Sequence, residues 1–187
     1  MDVIDLSANL DLIAEEHEHH GHHTHTEGID PHIWLSPDLV KQMSEKITHV
    51  LIELNPGEAA KYKTNYLEFA KEIDELDARI RRTLDPYEGR KIIVFHPSLT
   101  YYARDYGLVQ LSLESGGKEP TPQHMTGLVK VAKEEGIQTI DIKSEFNRDH
   151  ARVFAEEIEG EIVQISPLDP DWSENLLELT QRIIDNL

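Results

Sequence analysis

Eleven histidines and no cysteine define the chemistry open to this chain. Without a thiol there is no disulfide, no thiolate nucleophile and no thiolate-ligated zinc. Imidazoles and carboxylates remain as donors for a metal or a proton. The histidines are unevenly spread: His17, His19, His20, His22, His23 and His25 are six of the nine residues from 17 to 25. Imidazole is the commonest metal ligand, and a run of them on a flexible segment can wrap zinc, copper or nickel. The run also reads as a solvated linker. Being interior, interrupted and mixed with Glu and Thr, it departs from a purification tag. Residues 15–28 contain no apolar side chain, so this stretch cannot join a core and reads as a mobile loop.

Two further histidines stand alone in stiff surroundings. His32 sits in Asp30-Pro31-His32-Ile33-Trp34-Leu35, where Pro restricts the backbone and Trp offers an apolar wall. Such a setting suits a metal ligand, and it suits a packed, satisfied histidine equally well. His96 sits in Phe95-His96-Pro97-Ser98, directly after a strand-like run. His49 and His150 read as surface residues, and His124 as a first-turn helix residue. No nucleophile–base pair is evident. Ser98 reads as a helix N-cap, and Gly116-Gly117 lacks the Lys-Ser of a phosphate loop.

The elements that would position these groups follow from periodicity. Residues 2–13 read as a short strand and then an irregular or helical segment. Ser36-Pro37-Asp38 opens a helix over 37–54, with Leu39, Met43, Ile47, Val50 and Leu54 on one face. Asn55 and Glu58 form a capping-box pattern ahead of a second stripe, from Tyr62 and Tyr66 through Ile73 and Ile80 to Leu84. That helix, about 29 residues or roughly 43 Å, reads as half of a coiled-coil hairpin or as a rigid strut between domains. From Lys91 onward strand and helix patterns alternate four times. Gly107, Gly136 and Gly160 stand at three helix ends, and Asn147 is the expected cap of the third of these helices.

Four strand–helix units imply an α/β fold, a four-stranded parallel sheet with helices on both faces. Ligands of such sheets gather at the carboxyl ends of the strands. Those ends are at His96, at residues 114–120, at Lys143-Ser144-Glu145 and at residues 166–169. Residues 87–187 form a complete C-terminal lobe, 55–86 a long connecting helix, and 1–54 a partial N-terminal lobe that includes the loop 15–28. The chain thus reads as lacking most of an N-terminal lobe, and the apolar face of helix 37–54 needs cover, so self-association is expected.

Acidic residues outnumber basic ones, 36 to 18, for a formal net charge of −18. That disfavours nucleic acid and anionic membrane surfaces as partners. A hydrophobic fraction of 39% is enough for a packed core. No signal segment is visible after Met1.

Taken together, Asp30-Pro31-His32-Ile33-Trp34-Leu35-Ser36-Pro37, Asn55-Pro56 with Tyr62, Asn65 and Tyr66, Phe95-His96-Pro97-Ser98 with Tyr101-Tyr102 and Tyr106-Gly107, and Glu119-Pro120-Thr121-Pro122 resemble the ZnuA-like group. These are periplasmic metal-binding subunits of ABC-type zinc or manganese importers. The resemblance implies two α/β lobes joined by one rigid helix, with the metal between them. It implies His32 and His96 as ligands from the two lobes, a membrane permease as partner, and a location in the periplasm or at the cell surface. It implies capture and delivery, not catalysis. A further histidine that the family supplies early in the first lobe has no counterpart here. Ser166 stands where many members have a carboxylate, with Asp169 three residues on. Imidazole-rich donors favour zinc over manganese. Two other readings remain: a metal buffer or chaperone acting through the His-rich loop, and a flavodoxin-like enzyme using the crevice around His96.

Overall fold

The computed structural model describes residues 3–14, 28–114, 118–143 and 149–186. The His-rich run, Gly116-Gly117, Ser144-Glu145 and Asn147 lie outside the described residues. Among the described residues, the N-terminal stretch holds no strand. It makes one isolated antiparallel bridge, Ala14 to Ile29, and is held down by Lys46, whose ammonium donates to the carbonyls of Leu6 (3.0 Å) and Ala8. The expected strand does not form because no neighbouring strand offers it a ladder.

Helix α1 (Pro37–Leu54) starts as its sequence dictates, with Pro37 in the first turn and Ser36 Oγ accepting from the Leu39 N–H at 3.2 Å. Neither Asn55 nor Glu58 makes the expected capping bond. A 3-10 turn, Pro56–Glu58, intervenes, so α2 (Ala59–Leu84) has 26 residues, about 39 Å at ~1.5 Å per residue. The first part of α2 packs on α1, where Lys41 Nζ lies 2.6 Å from Asp74. Its last turns leave α1 and bury Leu76, Ile80 and Leu84 against the sheet. The one helix therefore belongs to both halves of the molecule.

The sheet comprises β1 (Lys91–Val94), β2 (Val109–Ser112), β3 (Thr139–Lys143) and β4 (Glu161–Ile165), all parallel, in the order β2-β1-β3-β4. Period-2 alternation divides its core. Ile92 and Val94 join α2, α3 (Thr100–Asp105) and α6 (Trp172–Asp185) on one face, while Ile93 and Phe95 join α4 (Pro122–Glu135) and α5 (Asp149–Glu157) on the other.

Two expected helix-end roles are filled differently. Ser98 does not cap α3. Its buried hydroxyl has no hydrogen-bond partner among the described residues, and Gln110 on β2 does the work, accepting from the Leu99 N–H (2.7 Å) and donating to Thr100 Oγ1 (3.0 Å). Gly107 and Gly136 do adopt positive φ at the ends of α3 and α4, but beyond α5 the left-handed residue is Glu159. Gly160 serves another need, because a Cβ there would lie 2.1 Å from the Gln138 carbonyl oxygen.

Candidate metal centre

His96 follows β1 at the carboxyl edge of the sheet, and the ladder carries its neighbours past the formal strand ends. The Phe95 N–H donates to the Asp141 carbonyl at 2.7 Å, the Leu113 N–H to Val94 at 3.0 Å, and the Glu114 N–H to Phe95 at 2.9 Å. This register sets Glu114 beside His96, with Oε2 2.7 Å from Nδ1. Glu114 is 9% exposed.

His32 arrives from the opposite side, at the head of the 3-10 turn Ile33–Leu35. The Asp-Pro-His sequence folds so that Asp30 Oδ1 accepts from the His32 N–H at 2.9 Å and lies 2.7 Å from the His32 Nδ1. Burial pushes the Asp30 carboxyl up, but the hydrogen bonds from the His32 ring and backbone outweigh it and hold the group below the usual carboxylate range. Tyr101 on α3 pins this turn: its hydroxyl donates to the Asp30 carbonyl at 2.9 Å and accepts from the Ile13 N–H at 3.1 Å.

The predicted wall is present. Trp34 lies 5.3 Å from the His32 ring, centroid to centroid. Its indole N–H donates to the Pro167 carbonyl at 2.9 Å, and the Trp172 indole N–H donates to the Trp34 carbonyl at 2.8 Å. Ser36 Oγ also reaches Asp105 on α3. The turn carrying His32 is therefore fastened to the sheet lobe by bonds from α3, from the β4–α6 loop and from α6.

These constraints bring the two imidazoles to 5.4 Å between centroids, in an edge-on arrangement at 69°. Two imidazoles sharing one tetrahedral ion, each nitrogen ~2.0–2.1 Å from it, have centroids about 5 Å apart. The spacing fits a shared ion. Where a ring donates its Nδ1 proton to the neighbouring carboxylate, Nε2 is left with the lone pair.

Other candidates fall elsewhere. No group of three His, Asp or Glu gathers around a common point among the described residues. The Asp169 carboxylate is exposed and accepts from the Asp171 N–H at 3.0 Å. His124 Nε2 lies 2.8 Å from the Ser112 carbonyl, which steadies the strand end bearing Glu114. His49 is exposed, and His150 Nε2 lies 3.8 Å from Glu119. Sequence reasoning gave no role to Asp30 or Glu114. Asp30 had a local signal, an acidic side chain two residues before a histidine. The pairing of Glu114 depends on strand register and had none.

The description "ZnuA: Zinc-uptake complex component A periplasmic" belongs to a family model that matches residues 1–187. The zinc-binding protein AdcA of Streptococcus pyogenes serotype M1 is 29% identical over 156 residues, which cover 82% of this chain and 30% of AdcA. The high-affinity zinc uptake system protein ZnuA of Bacillus subtilis (strain 168) is 30% identical over 162 residues, covering 83% of this chain and 51% of that protein. The chain thus spans about a third of the first and half of the second. A crystal structure of ZnuA superposes with a TM-score of 0.90 at 35% identity, covering all of this chain and 70% of that one. A ZnuA 138–173 deletion mutant with zinc bound gives 0.88 at 35% identity, covering 100% and 69%.

Proposed function

The chain belongs to the periplasmic zinc-uptake component A (ZnuA) family, and on that premise we propose that it captures zinc between its two lobes, outside the cytoplasmic membrane, for delivery to an ABC-type permease. Zinc is cargo here, and the chain performs binding and release without catalysis. His32 is the ligand from the N-terminal part (1–54) and His96 the ligand from the C-terminal lobe (87–187), with 55–86 as the connector. The observation that carries the reading is the 5.4 Å approach of these two imidazoles, each with its Nδ1 beside a buried carboxylate. The two imidazoles fill half of a four-coordinate shell.

Zinc titration calorimetry tests this on the 187-residue chain with its six histidines between 17 and 25 replaced by Ser. One site is expected, and it should be lost when His32 and His96 are changed to Ala. Tight single-site binding indifferent to those two changes would overturn the reading. If the serine replacements alone abolished all binding, the buffer role of the loop would take its place.

Self-association belongs to the same proposal. Ile47, Leu51, Leu54, Leu67 and Phe69 on α1 and α2 are all more than a third exposed. A groove of about 900 Å³ lies between Leu6, Trp34, Met43, Ile47, Phe69 and Trp172. Apolar surface of this kind marks an interaction site. Sedimentation velocity should show mass rising with protein concentration, more so in added salt, which screens the repulsion of an acidic chain. Ile47→Glu should keep the chain monomeric. A monomer at every concentration would refute this part.

A further inference from the structure

We propose that Asp30 and Glu114 are positioning residues that set the metal preference of the His32–His96 pair, aiming Nε2 of each ring at the ion while withholding their own oxygens from it. This rests on the reading of His32 and His96 as zinc ligands. The two carboxylates come from unrelated devices. Asp30 is placed by a local turn two residues before its histidine, Glu114 by ladder register between β1 and β2. Both nevertheless end 2.7 Å from an Nδ1. Both are almost fully buried, at 4% and 9% exposure.

Three consequences follow. First, each carboxylate fixes the tautomer and the ring orientation, which raises ligand basicity. Second, two neutral imidazoles bring no charge to a divalent ion, whereas two carboxylates just behind them bring −2. A doubly charged cation is thus neutralised beside two buried carboxylates, and a singly charged one is not. Third, the oxygen that faces each ring, Asp30 Oδ1 and Glu114 Oε2, is engaged by imidazole. Asp30 Oδ1 already takes hydrogen bonds from the His32 backbone and ring. Manganese favours oxygen donors and zinc accepts nitrogen, so carboxylates committed to imidazole bias the centre towards zinc.

The test uses the 187-residue chain with the loop histidines replaced by Ser. Asp30→Asn and Glu114→Gln keep an accepting oxygen and remove the charge; Asp30→Ala and Glu114→Ala remove both. Zinc affinity should fall about 10-fold for the amides and up to ~100-fold for the alanines. Manganese affinity should change less, so the zinc-to-manganese ratio narrows. Cobalt(II) bound in place of zinc should lose visible absorption intensity in the alanine variants as its tetrahedral field relaxes. A purely structural role would leave that spectrum and the metal ratio unchanged. Thermal unfolding without metal checks folding, and if an alanine variant fails to fold the amide pair carries the test. Should all four variants bind zinc within twofold of the parent, while His32→Ala and His96→Ala abolish binding, the carboxylate proposal falls and the ligand assignment stands. Zinc binding independent of both histidines would bring down the two together.

Discussion

Replacing Asp141 by Asn should stabilise the protein by roughly 4 kcal/mol at pH 8 and by almost nothing at pH 4. Asp141 lies in the middle of β3, paired in register with Val94 and Val163. Ile140 and Ile142 point into one core, so Asp141 points into the other, beneath α6. It is 8% exposed and borders a cavity of about 10 Å³, the room of a single water, lined also by Ile92 and Ile183. Burial drives its carboxyl up to about 7, and Arg182 counters only weakly. The Arg182 guanidinium is engaged elsewhere, with the Gln164 carbonyl and with Glu178 at 3.5 Å. Other charge at this end of the face comes from Lys91, which pairs with Glu135 on α4.

The sign follows from proton counting. The folded state holds the Asp141 proton to about pH 7, and the unfolded chain releases it near 3.8. Between those values folding takes up a proton, so the contribution to stability declines as pH rises from about 4 to 7 and stays low above that. A difference of about three pKa units corresponds to roughly 4 kcal/mol at ~1.36 kcal/mol per unit. Asn is neutral throughout and close in shape to the protonated acid, so it keeps what the acid loses. Urea unfolding of both proteins in chelator from pH 4 to 8 checks this. The difference between them cancels the general repulsion of an acidic chain. A difference that stays flat with pH would mean that the carboxylate is solvated.

Gly160→Ala is expected to cost about 3 kcal/mol or more, beyond the usual range for overpacking because the obstacle is main chain. Its Cβ would meet the carbonyl oxygen and carbon of Gln138 at 2.1 and 2.6 Å. Neither atom can swing aside as a side-chain end would. The contact sits where β4 begins its pairing with β3, next to the bond from the Glu161 N–H to the Gln138 carbonyl at 2.8 Å. Separating them loosens that bond and strains the register from Thr139–Glu161 onward. Gly136→Ala is the natural comparison. Gly136 has φ +71° with open space around the missing Cβ, so its penalty is conformational strain alone, about 1 kcal/mol. Thermal melting should rank Gly160→Ala well below Gly136→Ala, and equal melting temperatures would show that the β3–β4 junction yields easily.

What could be read along the chain was whatever a few neighbouring residues decide. Ser36-Pro37 starts α1 and Gly136 ends α4, because caps, proline and left-handed glycine act within one helical turn. The unbroken apolar run Ile92-Ile93-Val94-Phe95 reads as a strand buried on both faces, and strand runs alternating with helices imply a parallel sheet. The isolated histidines with stiff neighbours drew attention for the same local reason.

Contacts between distant segments lay beyond that reach. Ser98 has the sequence of an N-cap, yet a Gln from the adjacent strand took its place. Gly160 looked like a helix terminator and is instead a gap for another strand's carbonyl. Glu114 beside His96, Tyr101 pinning Asp30, and the 5.4 Å between two imidazoles all depend on which strands pair and how far their ladders run. Asp141 depends on α6 closing over the middle of the sheet. Such encounters are set by chain packing in three dimensions, and hydrogen-bond geometry and burial act only once the partners have met.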